Sequence, residues 1–185
     1  YDSNNVESND MAPIMNLFNE WHPKETSKKV RAVFKAKAER GERVSSQIPY
    51  GYARDESTPI GSKKSIKLII DEETAPVVRE IYRLCASGLG PTYIAHILKE
   101  RKILKPSMYS YEKTGKYGAA TDVTDPYGWN DRTVAGILDN EVYIGNTINL
   151  KETTVSYKNK HKIQRPEEEW IRVEGTHEAI IDMDT

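Results

Sequence analysis

The chain has 185 residues, 37% of them hydrophobic and 30% charged, with a formal net charge of -1 at pH 7. This length suits one medium-sized domain, or one domain with appendages, and no run of about 18 apolar residues is present to span a membrane. The single cysteine, Cys85, cannot form an internal disulfide, and no CxxC pair offers a zinc site. We therefore expect a cytoplasmic protein without metal or cofactor, in which Cys85 is a small buried residue.

The small net charge hides an uneven distribution. Residues 24–43 hold eight basic and three acidic side chains, residues 151–165 hold five and one, and residues 166–185 hold one and seven. Local basic stripes, rather than net charge, set the attraction to phosphate. The first two segments are therefore candidates for contact with nucleic acid.

The first predicted element is a basic helix. Residues 1–23 are polar and irregular, and Thr26 or Ser27 then caps a helix that ends at Arg40, before Gly41. Its apolar residues form only a narrow stripe, and lysines and arginines cover the other faces. Such a helix suits a second helix or a nucleic acid better than the core of a monomer.

An irregular segment follows at residues 42–52, with neither helical nor strand periodicity. Tyr50 and Tyr52, on either side of Gly51, would anchor a turn at its end. An ordinary linker fits this pattern. Four of its residues nevertheless suit a phosphate or a DNA groove: Arg43, Ser45, Ser46 and Gln47.

Helical periodicity is strong after a short predicted strand at residues 67–70. Apolar residues at i, i+3, i+4 and i+7 predict helices over residues 72–87 and 91–102, joined by a glycine-containing turn. A loop of residues 105–128, rich in Tyr, Ser, Gly and Thr, separates them from the next helix. Loops of this length are uncommon and are often functional.

Residues 129–145, WNDRTVAGILDNEVYIG, combine a helix over 130–139, capped by Asn130, with a strand that begins near Tyr143. In isolation, this pattern is also typical of a core helix. After two helices and a turn, it predicts the third helix of a helix-turn-helix-like unit. The residues of this helix that would face outward or lie at its N-terminus are Asn130, Asp131, Arg132, Thr133 and Gly136.

The remaining residues predict β-structure. Residues 143–150 and 153–158 resemble a hairpin, residues 170–173 could add a strand, and residues 174–185 start a further unit. The predicted fold class is α+β. It consists of a long N-terminal helix, then a three-helix helix-turn-helix-like unit with a small antiparallel hairpin or sheet.

The predicted third helix has few groups that can read bases. Arg132 would read a guanine, and Thr133 would touch a thymine methyl group or a phosphate. Asp131 and Asp139 are poor neighbours for DNA, unless Asp131 accepts a hydrogen bond from a cytosine amine. Specificity would therefore depend on few contacts.

A catalytic constellation is not evident in the sequence. The four histidines are scattered without a metal-binding pair, and the carboxylates at residues 71–73 and 167–169 occur in runs. The glycines near residue 89 lack the lysine and hydroxyl residue of a phosphate loop. We expect no catalytic residues and no enzymatic activity from these residues alone.

Several segments, in this order and spacing, resemble the large serine site-specific recombinases, most closely those of transposons and integrative elements. The matching segments are NEW and TSKKVRAVFKAKAERGE within 19–42, IPYGY at 48–52, LIIDEETAPVVREIY at 68–82, GPTYIAHIL at 90–98, WNDRTVAGILDNEVYIG at 129–145 and EEWIRVEGTHEAII at 168–181.

The resemblance implies a DNA-binding fragment of a larger recombinase. In that family, a catalytic domain carries a serine that attacks a DNA phosphodiester and forms a 5′-phosphoserine bond, and a zinc ribbon follows the recombinase domain. We expect this chain to lack the serine region and the zinc-binding cysteines. The implied division is the end of the catalytic domain (1–25), a linker helix (26–41), the recombinase domain (42–150) and a basic hairpin toward a zinc ribbon (151–185).

The implied partner is double-stranded DNA at attachment or transposon-end sites, with self-association through the catalytic domain of the full-length protein and no membrane contact. Two alternatives stay open, a protein-interaction module and a helix-turn-helix transcription regulator. The expected DNA-contacting residues are Lys28, Arg31, Lys35, Lys37, Arg40, Arg43, Ser45, Ser46, Gln47, Asn130, Arg132, Thr133, Gly136, Lys151, Lys158, Lys160 and Lys162.

Overall fold

The computed structural model describes residues 7–55, 57, 66–116, 118 and 121–182. Within these residues, the α+β prediction is confirmed by five α-helices and six short strands. In chain order they are α1 (Glu7–Glu39), β1 (Tyr52–Arg54), β2 (Leu68–Ile70), α2 (Ala75–Ala86), α3 (Pro91–Glu100), α4 (Pro106–Thr114), α5 (Asp131–Leu138), β3 (Thr147–Asn149), β4 (Glu152–Thr154), β5 (Lys162–Gln164) and β6 (Ile171–Val173). The strands pair two by two, as β1 with β2, β3 with β6 and β4 with β5.

The chain divides into two compact units. The helix–hairpin unit comprises Tyr1–Val44 and Ile148–Val173. The three-helix unit comprises Ser45–Thr147 and Glu174–Thr185, and it is named for the helices α2, α3 and α5, although it also contains α4. Residues 148–173 therefore interrupt the three-helix unit in sequence.

The core of the three-helix unit lies between α2, α3 and α5, which pack against one another. Apolar residues one helical turn apart supply it, because only one stripe of each amphipathic helix faces inward. Ile81, Ile94, Leu98 and Val134 are each completely buried, or nearly so. Full burial of such a side chain contributes about 1.5–3 kcal/mol relative to exposure.

Three contacts hold the start of α5 at the end of α3. The Lys99 ammonium lies 2.9 Å from an Asp125 carboxylate oxygen, the Lys105 amide donates to the Pro126 carbonyl over 3.0 Å, and the Trp129 indole donates to the Ile103 carbonyl over 2.9 Å. Residues 125–129 therefore lie beside the C-terminal end of α3, so the end of α3 and the start of α5 are close together.

Gly51 is the fixed point from which the irregular segment leaves the core. Its amide donates to Thr74 Oγ1 over 3.1 Å, and its carbonyl accepts from the Asp71 amide over 3.0 Å. Its φ of +94° is unfavourable for other residues, and an added Cβ would lie 2.8 Å from Val78 Cγ2. Only glycine fits, so the turn between Tyr50 and Tyr52 is anchored, as the sequence indicated.

Residues 174–182 are part of the three-helix unit, and the prediction that residues 174–185 start a new unit is wrong for this described part. Ile180 and Ile181 are buried, and both of their amides donate to the Tyr143 carbonyl. His177 Nε2 donates to the Val142 carbonyl over 2.8 Å. This segment closes the core because its isoleucines fill space beside Tyr143.

In the helix–hairpin unit, α1 packs against β6. Ala38 is completely buried, whereas Val30, Val33 and Phe34 are each more than 40% exposed. The Asn149 side chain joins the end of α1 to the strands, since it donates to the Glu42 carbonyl and accepts from the Val44 amide. The narrow apolar stripe predicted for this helix therefore contributes little to a core.

Several predicted boundaries are wrong. The first helix begins at Glu7 rather than at Thr26 or Ser27, and residues 1–6 lie outside the described part. The predicted loop 105–128 contains α4. Cys85 is exposed rather than buried, because Leu84 fills the core in the last turn of α2.

The predicted hairpin from Tyr143 is also wrong. Residues Glu141–Ile144 form a short 3-10 helix, and Gly145 ends it with a φ of +87°. The first strand, β3, then pairs with the distant β6, and the hairpin forms instead between β4 and β5. The strand predicted at residues 170–173 is confirmed as β6.

Candidate nucleic-acid interface

The N-terminus of α5 is capped as its sequence predicts. Asn130 has an extended backbone, and its Oδ1 accepts from the Thr133 amide over 2.8 Å and from the Thr133 hydroxyl over 2.9 Å. Asp131 Oδ1 accepts from the Arg132 amide over 2.8 Å. A carboxylate here is favourable because the first turn of a helix is electropositive. Asp131 therefore has a structural reason to be present that does not involve a cytosine.

One face of α5 is open to solvent. At 100° per residue, Asp131, Arg132, Ala135, Gly136 and Asp139 share an arc of about 140°. All of them are exposed except Ala135, which is half-buried, and the opposite face buries Val134 and Ile137 in the core. The predicted outward positions of Asn130, Arg132 and Gly136 are thus observed, and Thr133 is half-buried.

Arg132 is the unpaired cation of this face. It forms no side-chain hydrogen bond or salt bridge with any residue that the structure describes. Its neighbours one turn further on, Ala135 and Gly136, are small, and a Cβ at Gly136 would meet nothing within 4 Å. The guanidinium group therefore has both freedom and space to meet a ligand.

The segment before Gly51 exposes three predicted residues, Ser45, Ser46 and Gln47. Ser45 Oγ accepts from the Gln47 amide over 3.2 Å, which shapes the segment locally. Tyr50 anchors its end, because its hydroxyl donates to the Leu104 carbonyl and its own carbonyl accepts from the Tyr143 hydroxyl. Burial, with a smaller effect of Asp71, raises the pKa of Tyr50, so its hydroxyl stays a donor at neutral pH.

Helix α4 docks on the start of α2, a feature that the sequence analysis missed. The Tyr109 hydroxyl lies 2.6 Å from Asp71 Oδ2 and 3.0 Å from Glu73 Oε2, and the Lys113 ammonium lies 3.0 Å from Glu73 Oε2. The Tyr109 ring meets the Tyr50 ring edge to face at 5.8 Å. This contact connects α4 to the anchor of the segment 45–50.

The electrostatics of this contact follow from its burial and hydrogen bonds. Burial alone would raise the pKa of Asp71, but hydrogen bonds from Tyr109, Thr74 and the Glu73 amide lower it overall. Burial and the two carboxylates raise the pKa of Tyr109. The contact is therefore a neutral phenol donating to an ionised carboxylate, which is a strong type of hydrogen bond.

Most of the predicted basic residues of α1 have partners. Lys28 pairs with Glu25 at 3.1 Å, Lys35 with Glu39 at 3.9 Å and Arg40 with Glu42 at 2.7 Å. These are exposed pairs, and such pairs contribute little to stability, so a polyanion can compete for the cations. Arg31 instead donates to Thr154 in the hairpin, and Lys37 and Arg43 are half-buried.

The basic residues after residue 150 are not equivalent. Lys151 lies over the Trp170 ring at 4.9 Å, and Lys162 pairs with Glu152 at 2.9 Å, which lowers the pKa of that carboxyl. Lys158 lies over the Tyr157 ring at 5.7 Å, and both Lys158 and Lys160 are exposed. The structure thus separates two lysines held against the strands from two that project from the hairpin loop.

Among the described residues, no group of three or more His, Cys, Asp or Glu side chains could hold a metal ion. In the same part of the chain, no helix is long and apolar enough to cross a membrane.

A family model described as Recombinase matches residues 72–185, which is more than half of the chain. The protein therefore belongs to the Recombinase family, and this membership supports a role in site-specific DNA recombination with DNA as a partner. The match includes α2, α3, α5, the β4–β5 hairpin and the closing segment 174–182. No solved structure was found to match the chain.

Proposed function

We propose that the chain binds double-stranded DNA in a sequence-specific manner through α5, as the DNA-binding part of a large serine recombinase. The observation that supports this most is the exposed face of α5, where one unpaired arginine stands beside two small residues.

The shape of α5 suits the major groove. That groove is about 12 Å wide and admits one α-helix, provided that the side chains facing the bases do not hold the backbone away. Ala135 has only a methyl group and Gly136 has no side chain, so the backbone of α5 can come close to the bases. The Arg132 side chain is long enough to donate two hydrogen bonds to guanine O6 and N7. Asn130 Oδ1 is occupied by its cap, so its amide nitrogen is the group that it offers to DNA.

Arg132 is the base-reading residue in this proposal, and Thr133 has a secondary role. The Thr133 hydroxyl already donates to Asn130, so it approaches DNA with its methyl group or as an acceptor. Asp131 and Asp139 repel phosphate and restrict where the helix can sit. Affinity must therefore come mostly from basic groups outside α5.

The full-length parent in this proposal cleaves DNA through a serine that forms a 5′-phosphoserine bond. We assign no residue of this chain to that chemistry. The chain holds the attachment site instead. The anchored segment 45–50 lies in the minor groove, and α5 lies in the major groove.

Selection from a pool of random duplexes tests the base-reading role. The wild-type chain should enrich one sequence, and Arg132→Ala should lose the preference at one base pair, at a cost of about 1–3 kcal/mol. Arg132→Lys should also lose most of it, because an ammonium cannot form the bidentate pair. Arg83→Ala, an exposed arginine of α2 paired with Glu80, serves as the control and should enrich the wild-type sequence. Enrichment of the same site by Arg132→Ala would refute the assignment.

Exposed apolar residues favour a second candidate function, a protein-interaction module. Met15, Phe18 and Trp21 on α1 are each more than 50% exposed. Gel-shift measurements with a random duplex and with a duplex from the end of the mobile element separate the two functions. Failure of the wild-type chain to shift either duplex would favour the interaction module.

A further inference from the structure

We infer that α1 and the loop of the β4–β5 hairpin form one preformed clamp for a DNA phosphate backbone, and that Arg31 is its latch rather than a DNA contact. This inference rests on the proposed DNA binding. In this clamp, Arg31 positions the hairpin, and basic residues that are scattered in the sequence contact the DNA.

The latch brings the two arms together. Arg31 Nη2 donates to the Thr154 carbonyl over 3.3 Å and to Thr154 Oγ1 over 3.2 Å. Thr154 is the last residue of β4, and it lies opposite Lys162 in the hairpin register. The hairpin is thereby fixed against the face of α1 to which Arg31 belongs.

A row of basic residues lies on this side of α1 between residues 24 and 35. Residues three, four and seven positions apart on a helix share a face, so Lys24, Lys28 and Lys35 lie on the same side as Arg31. All three lysines are exposed. Phe34 and Ala38 lie three and seven residues after Arg31, so Arg31 stands at the border between this row of ammonium groups and the apolar stripe.

The hairpin loop is the second arm, and its own side chains shape it. The Asn159 amide donates to Ser156 Oγ over 2.9 Å, the His161 amide donates to Asn159 Oδ1 over 2.9 Å, and the Val155 amide donates to the His161 carbonyl over 3.0 Å. Such ordering reduces the entropy lost on binding. A loop that is ordered and exposed at once is more typical of a binding element than of a connection.

The loop carries the groups that nucleic acid requires. Lys158, Lys160 and His161 are exposed, and the Tyr157 ring lies beneath the Lys158 ammonium. With the α1 row, Arg31 and Lys162, the surface has seven lysines and arginines against Glu25, Glu39 and Glu152. This excess of positive charge lies on α1 and on the hairpin that Arg31 joins to it, and it is suited to a phosphate backbone.

Salt-dependent binding of the whole chain to a duplex tests the clamp. Each lost phosphate contact reduces the magnitude of the slope of log K against log salt by about 0.9. Lys158→Ala/Lys160→Ala should therefore reduce this magnitude by about 2 and weaken binding roughly ten-fold at low salt. Lys67→Ala/Arg83→Ala removes the same charge from exposed positions of the three-helix unit and should leave the slope unchanged.

A charge-conserving change tests the latch. Arg31→Lys keeps the positive charge but cannot reach Thr154 with the same two hydrogen bonds, so it should weaken binding in the wild-type background. In the Lys158→Ala/Lys160→Ala background it should have no further effect, because the loop that it positions has lost its contacts. Equal effects in the two backgrounds would show that Arg31 contacts DNA itself and would overturn the latch.

The two proposals fail in different ways. If the wild-type chain binds no duplex, the proposed function fails. If it binds and selects a sequence through Arg132, but Lys158→Ala/Lys160→Ala behaves like the Lys67→Ala/Arg83→Ala control, only the clamp is refuted.

Discussion

Replacing Gly136 by alanine separates the stability of α5 from its fit to DNA. In the protein alone the change is favourable, because an added Cβ meets nothing within 4 Å and glycine is a poor residue inside a helix. We expect a gain of about 0.5–1 kcal/mol in the free energy of unfolding. For a chain of this size, that gain raises the melting temperature by about 1–4 °C.

In the complex the same methyl group lies between the helix and the groove. Overpacking of a close contact costs about 1–3 kcal/mol, which corresponds to roughly 5- to 150-fold weaker binding. Thermal melting and fluorescence anisotropy with a duplex measure the two effects in one preparation. Ser110→Ala, at an exposed position of α4, is the control for a helix-stabilising change remote from the proposed groove contact.

If α5 enters the groove, Gly136→Ala must raise the melting temperature and weaken the binding of DNA. If Gly136→Ala melts at a higher temperature and binds DNA as the wild-type chain does, the exposed face of α5 does not approach DNA. The assignment of α5 to the major groove would then be wrong, whatever the effect of Arg132.

Two further predictions concern stability. Asn130→Ala removes the cap of α5 and should cost about 1 kcal/mol in urea unfolding, whereas Asn130→Asp should cost much less; equal stability of both variants would show that the cap is unimportant. The pKa of Asp71 is lower in the folded chain than its ordinary value of 3.8, so its contribution is present above that pH and is lost as the pH falls through the folded value. The urea midpoint of the wild-type chain should therefore fall more steeply below about pH 4 than that of Asp71→Asn, and parallel pH profiles would contradict the role of the Tyr109–Asp71 contact.

The features that were predicted correctly are encoded locally. Asn130 and the apolar spacing of Val134 and Ile137 lie within one short segment, so they specify α5 without distant partners. The same holds for α2 and α3, whose inward stripes are continuous. A local pattern predicts an element when its cap and its buried face are both in the same window of sequence.

The missed elements depend on distant contacts or on weak signals. Helix α4 has Pro106 in its first turn and Gly115 after its end, but its Tyr and Ser content resembles a loop, and Tyr109 reaches a carboxylate 38 residues away. The long start of α1 was missed because Pro23 is typical of a helix boundary. For the proposed site, no sequence pattern connects Arg31 with Thr154, which are 123 residues apart.

The strands show the same limit. The sequence predicted that neighbouring segments would pair, yet β3 pairs with β6 across the intervening hairpin. The sequence analysis treated the basic residues of 151–165 as one group, but their distribution between the strands and the loop depends on this pairing. Lys151 and Lys160 look alike in the sequence and differ entirely in their surroundings.

Because the chain returns into the three-helix unit, residues 148–173 are an insert between two segments of that unit. Thr147 Oγ1 and Thr176 Oγ1 are 2.7 Å apart, so the two ends of the excursion meet within one folded body. A change of length within this insert should therefore leave the α2–α3–α5 core intact. A truncation after residue 150, by contrast, would remove Ile180 and Ile181 from that core. Truncations and chimaeras should therefore have their junctions at both ends of the insert.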